Sequence, residues 1–357
     1  MYTSLLVALA PAAALAAPLF EQRNALPGKY IVKYKSDTVS TSSIQANLAN
    51  APEHEYAFGG FTGFAGTLSD TELAKLKASD AVEYIIQDAQ VTTQDIQFEA
   101  NAPWAGEGTC AYIIDTGILT THPEFEGRAE WLENFTGDGS DSDGAGHGTH
   151  VAGTIGSVTY GVAKKTKLYA VKVLDASGSG TYSGVIAGID YVANDHTTRD
   201  CPKGSVANMS LGGGKNQAVN DAVAAAVASG VFFAIAAGNN NGDATNYSPA
   251  SEPTAFTVAA SDINDAKASF SNYGALVDIW APGVSILSTW NDGKTNTISG
   301  TSMATPHIAG LAAYLLGTDV ATVDTVGQTI VDLSTKDVLT GVPSGTINAV
   351  AFNGVSA

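Results

Sequence analysis

Three glycine-rich segments of this 357-residue chain each carry one side chain suited to nucleophilic catalysis. Asp115 stands in Ile113-Ile114-Asp115-Thr116-Gly117, and His147 in Gly146-His147-Gly148-Thr149-His150-Val151-Ala152-Gly153. Ser302 stands in Gly300-Thr301-Ser302-Met303-Ala304-Thr305-Pro306-His307. A serine hydroxyl is a weak nucleophile at its own pKa. An imidazole within reach can accept its proton, and a carboxylate behind the imidazole fixes the tautomer and stabilises the cation that forms. Each segment alone has a plainer reading. An aspartate closing a strand also forms turns, and a serine opening a helix also serves as an N-cap. His147 and His150 lack the H-E-x-x-H spacing of a zinc site, so no metal is expected there and His150 is expected to be structural. Ala304 excludes the G-x-S-x-G elbow of α/β-hydrolases. A fourth segment, Ala236-Ala237-Gly238-Asn239, adds an amide that could donate to an oxyanion.

The elements that would hold these groups are legible as periodicities. Cys110 to Ile114, Leu168 to Leu174 and Val231 to Ala237 are unbroken apolar runs, as expected of strands covered on both faces in a parallel sheet. Between them, Ser183 to Asn194 sets Ile186, Ile189 and Val192 at helical spacing, and Asn216 to Ser229 does the same with Val219, Val223 and Val227. The expected class is α/β, a three-layer domain with a mostly parallel sheet. A small α+β unit should precede it. Lys29 to Tyr34 alternates as a strand, Thr71 to Lys77 reads as a capped helix with Leu73 and Leu76 on one face, and Val82 to Ile86 returns to strand.

Composition bounds the class. The chain is 45% hydrophobic and 15% charged, with 38 glycines, which excludes a disordered or fibrous chain. Its net charge of −18 repels phosphate backbones and anionic lipid, so neither nucleic acid nor membrane is an expected partner. Leu5 to Ala17 is apolar and small and ends in Ala14-Leu15-Ala16, too short to span a bilayer and patterned as a secretory signal. The two cysteines, Cys110 and Cys201, fit an oxidising compartment, where one disulfide is the natural pairing.

Taken together, the Asp…His…Ser order and the four motifs resemble the subtilisin-like serine proteases, and within them the proteinase K group. Further matches are Ser210 to Gly214, Ala236 to Asn241 and Asn246 to Pro253. The resemblance implies a secreted endopeptidase with broad specificity for apolar or aromatic residues, acting as a monomer and made as a self-processing zymogen. It implies a signal peptide over 1–17, an inhibitory propeptide over 18–96 that also chaperones folding, and a catalytic domain over 97–357. Ser302 would be the nucleophile, His147 the base and Asp115 its orienting carboxylate. Asn239 and the Ser302 backbone N–H would form the oxyanion hole. Gly178 to Tyr182 and Ser210, Leu211 and Gly212 would bind an extended peptide as an added strand. One structural calcium would rest on the carbonyls of Pro253 and Ala255 and the carboxylate of Asp278. Cys110 and Cys201 match a disulfide of the group, while Phe256 stands where a cysteine of a second one would be.

One departure matters. After Asn101-Ala102-Pro103-Trp104 the sequence runs directly into Ala105 to Cys110, without a segment that relatives carry and that supplies a surface strand and part of a second calcium site. The runner-up reading follows from it: a catalytically dead relative serving as a binding or structural protein. The processing bond is expected between Gln94 and Phe98. Sequons occur at Asn134, Asn208 and Asn246. The first and third are expected surface glycosylation sites, whereas Asn208 lies in a substrate-binding strand and is expected to stay bare.

Overall fold

The computed structural model describes residues 17–20, 25–35, 48–58, 61–89 and 105–352. The signal segment up to residue 16, the expected processing bond and Asn101 to Trp104 lie outside them. The chain divides into two compact units, Met1–Asp95 and Ile96–Ala357.

The first unit is a five-stranded sheet with one helix. Its strands are β1 (Leu19–Phe20), β2 (Ala25–Tyr34), β3 (His54–Phe58), β4 (Phe61–Thr67) and β5 (Val82–Ala89), in the order β1-β5-β2-β4-β3. Helix α1 (Asp70–Lys77) begins one residue before the expected start. Ser69 caps it: its hydroxyl accepts from Glu72 N, and Glu72 Oε2 accepts from Ser69 N at 2.8 Å, so two otherwise unpaired N–H groups are satisfied. Val32, Phe64, Leu68, Leu76, Val82 and Ile85 form its core.

The second unit is a three-layer α/β domain. Its elements run β6 (Thr109–Asp115), a 3₁₀ turn (Pro123–Phe125), β7 (Ala129–Asn134), α2 (His147–Gly156), β8 (Lys167–Lys172) and α3 (Tyr182–Asp195). They continue β9 (Gly204–Met209), β10 (Gly213–Gly214), α4 (Gln217–Ala228), β11 (Val231–Ala236), β12 (Tyr247–Ser248) and β13 (Phe256–Ser261). The last are β14 (Ile279–Pro282), β15 (Ile286–Thr289), β16 (Thr295–Ile298), α5 (Thr301–Gly317), α6 (Val326–Leu333), β17 (Thr335–Lys336) and β18 (Ala349–Val350). The main sheet has the order β17-β18-β14-β13-β11-β9-β6-β8-β7, parallel except for the β17–β18 pair.

Alternation along each strand feeds both layers. Ala111 and Ile113 of β6 pack with Val151 and Ile155 of α2 and Ile308 and Ala312 of α5. Tyr112 and Ile114 of the same strand pack with Val185 and Ile189 of α3 and Val223 of α4. Cys110 and Cys201 are joined by a disulfide that ties β6 to the turn before β9. Because β6, β9 and β11 are sheet neighbours and parallel, their C-terminal ends bring Asp115, Ser210 and Asn239 to one edge, where open α/β sheets gather ligands.

Candidate active site

Asp115 is the last residue of β6 and is fully buried. His147 is the first residue of α2. The helix sits against the loop after β6 so closely that a Cβ at Gly148 would lie 2.1 Å from the Gly117 carbonyl oxygen, which only glycine allows. In this seating His147 Nδ1 and Asp115 Oδ1 are 2.7 Å apart, and the same oxygen accepts from Thr116 N at 2.7 Å. The carboxylate acceptor makes Nδ1 the protonated nitrogen and leaves Nε2 as the basic one. The imidazole remains 28% exposed. Desolvation alone pulls its pKa down. The charge and hydrogen bond of Asp115, with the charge of Asp143 added, outweigh that effect and hold it above the ordinary histidine value.

Ser302 is the second residue of α5, where free N–H groups and the helix dipole favour negative charge. Its hydroxyl donates to the Ser210 carbonyl at 3.2 Å, and Ser210 Oγ donates back to the Ser302 carbonyl at 2.8 Å. Asn208 Nδ2 donates to Ser210 Oγ at 2.9 Å, so the start of α5 is tied to the end of β9. Asn239 follows β11. Its Oδ1 accepts from both Thr301 N and Thr301 Oγ1, which fixes the flip of the amide and leaves Nδ2 as the free donor. Asn239, Thr301 and Ser302 line one cavity of about 370 Å³. The role of Thr301 was missed in the sequence, where it stands only as the neighbour of Ser302.

The five residues expected to bind substrate, Gly178, Tyr182, Ser210, Leu211 and Gly212, line a second cavity of about 810 Å³ together with His147. Leu211 and Gly212 border both cavities. Tyr182 Oη donates to the Gly214 carbonyl at 2.7 Å, joining the start of α3 to β10. His150 does not face this groove. It is buried, with Nε2 between the carbonyls of Ile286 and Asn296.

The remaining expected positions are elsewhere. Asp278 precedes β14, and its Oδ2 accepts only from Thr257 N, at 2.7 Å. Burial pushes this carboxyl up to about 6, with the Thr257 bond opposing. An under-compensated carboxylate of this kind, bonded to Thr257 at the start of the strand that follows the Pro253–Ala255 turn, suits a hard cation that prefers oxygen. Asn208 is buried. The Asn134 side-chain nitrogen, which a glycan would occupy, donates to Asp138 Oδ1 and the Ser140 carbonyl. Asn246 is exposed, with one long bond to the Asp243 carbonyl.

Among the described residues, no helix is long and apolar enough to cross a membrane. The Subtilase family model matches residues 106–346, and the Peptidase inhibitor I9 model matches 28–94. The chain is 51% identical to the cuticle-degrading protease of Metarhizium anisopliae over 389 positions, covering 99% of this chain and 100% of that one. As this chain has 357 residues, that alignment leaves at least 32 positions of the relative without a counterpart here. Proteinase R of Parengyodontium album is 49% identical over 360 residues, 94% of this chain and 92% of that one. A cold adapted subtilisin-like serine proteinase of known crystal structure superposes with a TM-score of 0.66 at 44% identity, covering 75% of this chain and 93% of that chain. The hydrogen-bonded Asp115–His147 pair, a serine at the start of α5 and the match over 106–346 place the chain in the subtilase family as a subtilisin-like serine endopeptidase preceded by an I9 inhibitor segment.

Proposed function

We propose that Asp115, His147 and Ser302 hydrolyse peptide bonds through an acyl-enzyme. Ser302 Oγ attacks the scissile carbonyl while His147 Nε2 takes its proton. The tetrahedral oxyanion lies between Asn239 Nδ2 and the Ser302 backbone N–H. Collapse of the intermediate transfers the proton from Nε2 to the leaving amine, and water then repeats the sequence to release the acid. Asp115 keeps Nδ1 protonated and stabilises the imidazolium. The observation that carries this reading is the 2.7 Å contact between His147 Nδ1 and a fully buried Asp115. A dead binding protein would have no need of it.

The groove lined by Gly178, Tyr182 and Ser210 to Gly212 would take an extended peptide along its edges, with apolar or aromatic residues favoured. The first unit would act as the intramolecular inhibitor and chaperone, removed by the enzyme itself. The Leu5–Ala17 segment would direct the chain outside the cell, where the Cys110–Cys201 bridge persists. The enzyme would work there as a monomer on proteins and peptides, its net charge of −18 keeping it from nucleic acid and anionic membranes. Calcium, held by Pro253, Ala255 and Asp278, would neutralise the buried Asp278 carboxylate and stabilise the fold without touching the reacting atoms. Of the two surface sequons, the freer geometry of Asn246 favours it as the glycan site.

Expression of the full chain tests this. The wild type should yield a mature N-terminus between Gln94 and Phe98 and cleave peptide amides. Ser302→Ala should remain as the uncut pro-form. Self-maturation of purified Ser302→Ala would contradict the assignment.

A further inference from the structure

A second carboxylate lies behind the imidazole, in the loop ahead of α2. Asp143 is 6% exposed and accepts five hydrogen bonds. Its Oδ1 takes Thr116 Oγ1 at 2.8 Å, Ala145 N at 3.1 Å and Gly146 N at 2.7 Å. Its Oδ2 takes Thr149 N at 2.8 Å and Thr149 Oγ1 at 2.6 Å. All five donors are neutral, so this shell leaves the negative charge in place.

Thr116 is shared between the two carboxylates. Its N–H donates to Asp115, its hydroxyl donates to Asp143 and accepts from Gly148 N, and its carbonyl accepts from Lys172 Nζ at 3.0 Å. The opposite side of the same helical turn is held by the β15–β16 hairpin. Ser288 and Thr289 hydroxyls donate to the His150 and Thr149 carbonyls, Asn291 Nδ2 donates to the Asp143 carbonyl, and the Trp290 ring lies against Gly146.

We propose that Asp143 is a positioning residue for His147, fixing the first turn of α2 against the Asp115 strand and offsetting the helix N-terminus that would otherwise oppose the imidazolium. This rests on the reading of Asp115, His147 and Ser302 given above. The physical need is specific. His147 is the first residue of α2, where N–H groups without intrahelical partners and the macrodipole disfavour a cation, yet the reaction requires His147 to become one. A carboxylate seated on the N–H groups of that same turn reverses the sign of the local field. The upward influence of Asp143 on the His147 pKa has the direction this account needs.

The other charged or titratable groups packed around α2 are Asp115 from β6, His150 on α2 itself and His307 on α5. Lys172 on β8 is engaged with the Thr116 and Leu174 carbonyls and lies 3.6 Å from Asp138, and Arg128 donates to the Gly156 carbonyl at the far end of α2. Glu124 of the 3₁₀ turn is held by Thr159, and His122 ahead of that turn pairs with the Lys294 carbonyl. His150 and His307 are both held below the ordinary histidine value, chiefly by burial, and β15 brings no titratable side chain.

Mature wild type, Asp143→Asn, Thr116→Val and Thr116→Ser are compared by kcat, KM and the pH profile of kcat/KM on a peptide anilide, with fluorophosphonate labelling of the wild type as the control. Asp143→Asn should lower kcat by about tenfold or more with KM within about twofold, and move the acid limb of kcat/KM down by a few tenths to about one pH unit. Thr116→Val keeps the charge but cuts the link to β6, so kcat should fall with the limb unmoved. Thr116→Ser should restore most of that loss. An unmoved limb in Asp143→Asn, or a rise in KM in place of the fall in kcat, would overturn the proposal. If Asp143→Asn does not mature, an unchanged kcat in Thr116→Val overturns it instead. Failure of the wild type to label at Ser302 would sink the triad reading itself. Labelling at Ser302 with Asp143→Asn behaving as wild type would sink only the role of Asp143.

Discussion

Thr301 donates both its backbone N–H and its hydroxyl to one atom, Asn239 Oδ1, at 2.8 and 2.9 Å. The two bonds fix the Asn239 amide before any substrate arrives, leaving its nitrogen as the donor for the proposed oxyanion. Preorganised donors of this kind cost no reorientation at the moment of reaction.

Asn239→Ala should therefore lower kcat by about two to three orders of magnitude with little change in KM, the size of effect known for such a donor in another subtilisin-like enzyme. Thr301→Val should cause a smaller fall of the same kind, because it frees the amide to turn. A variant of Asn239 that loses KM and keeps kcat would place the residue on ground-state substrate.

Acid should weaken the catalytic unit through His150. Its burial pushes the imidazole down to about 4, against 6.5 when free, with the Ile286 and Asn296 carbonyls opposing. Above pH 6.5 neither state binds the proton. Below it the unfolded chain takes up a proton that the folded chain refuses, so stability falls progressively from pH 6.5 to about 4. The melting temperature of the phosphonate-inactivated mature enzyme should drop across that window. His150→Gln should flatten the slope even though it lowers the absolute value. An equally steep slope in the variant would assign the acid loss to other groups.

Calcium should stabilise by binding only the folded state. At a hundredfold excess over its dissociation constant this contributes about 2.7 kcal/mol, or roughly 5–10 °C for a domain of this size. The mature enzyme should melt lower in chelator, and Asp278→Asn should abolish most of the difference. Equal melting temperatures in calcium and chelator would count against the site.

The cap of α1 gives the inhibitory unit an acid sensitivity of its own. Hydrogen bonds from Ser69 and from the Ala49 and Ser69 N–H groups hold the Glu72 carboxyl down to about 2, below its free value of 4.5. The stability it adds is present above pH 4.5 and is lost as pH falls toward 2. In the Ser302→Ala pro-form, amide exchange in α1 should speed up across that range, and Glu72→Gln should exchange fast throughout. Exchange in α1 that is independent of pH after correction for intrinsic rates would show that the cap contributes nothing.

The strands and helices that build the site were legible because burial leaves a periodic record. β6, β8 and β11 are covered on both faces, so their apolar runs are continuous. On α3 the stripe is displaced slightly: Val185, Ile189 and Val192 are buried while Ile186 is only partly so, because in the first turn the preceding residue, Val185, meets the core instead. Asp115, His147, Ser302 and Asn239 were found because glycine-rich motifs mark them. Asp143 and Thr301 stand beside or within the same segments, but nothing in the sequence singles them out from their neighbours there. Asp143 is one of several acidic residues in a polar loop, and Thr301 meets Asn239 across 62 positions of sequence, so tertiary contact alone selects them.

The central claim is that Ser302, activated by His147 on Asp115, forms a covalent acyl-enzyme. The most direct measurement is mass mapping of the matured enzyme after treatment with a peptidyl fluorophosphonate. One adduct on the peptide containing Ser302, formed in step with loss of peptidase activity and slowed at least a hundredfold in enzyme matured with wild-type propeptidase in trans and carrying His147→Ala, is the predicted result. A matured, folded enzyme that cleaves peptide with Ser302 unmodified, or labels equally fast without His147, would contradict it.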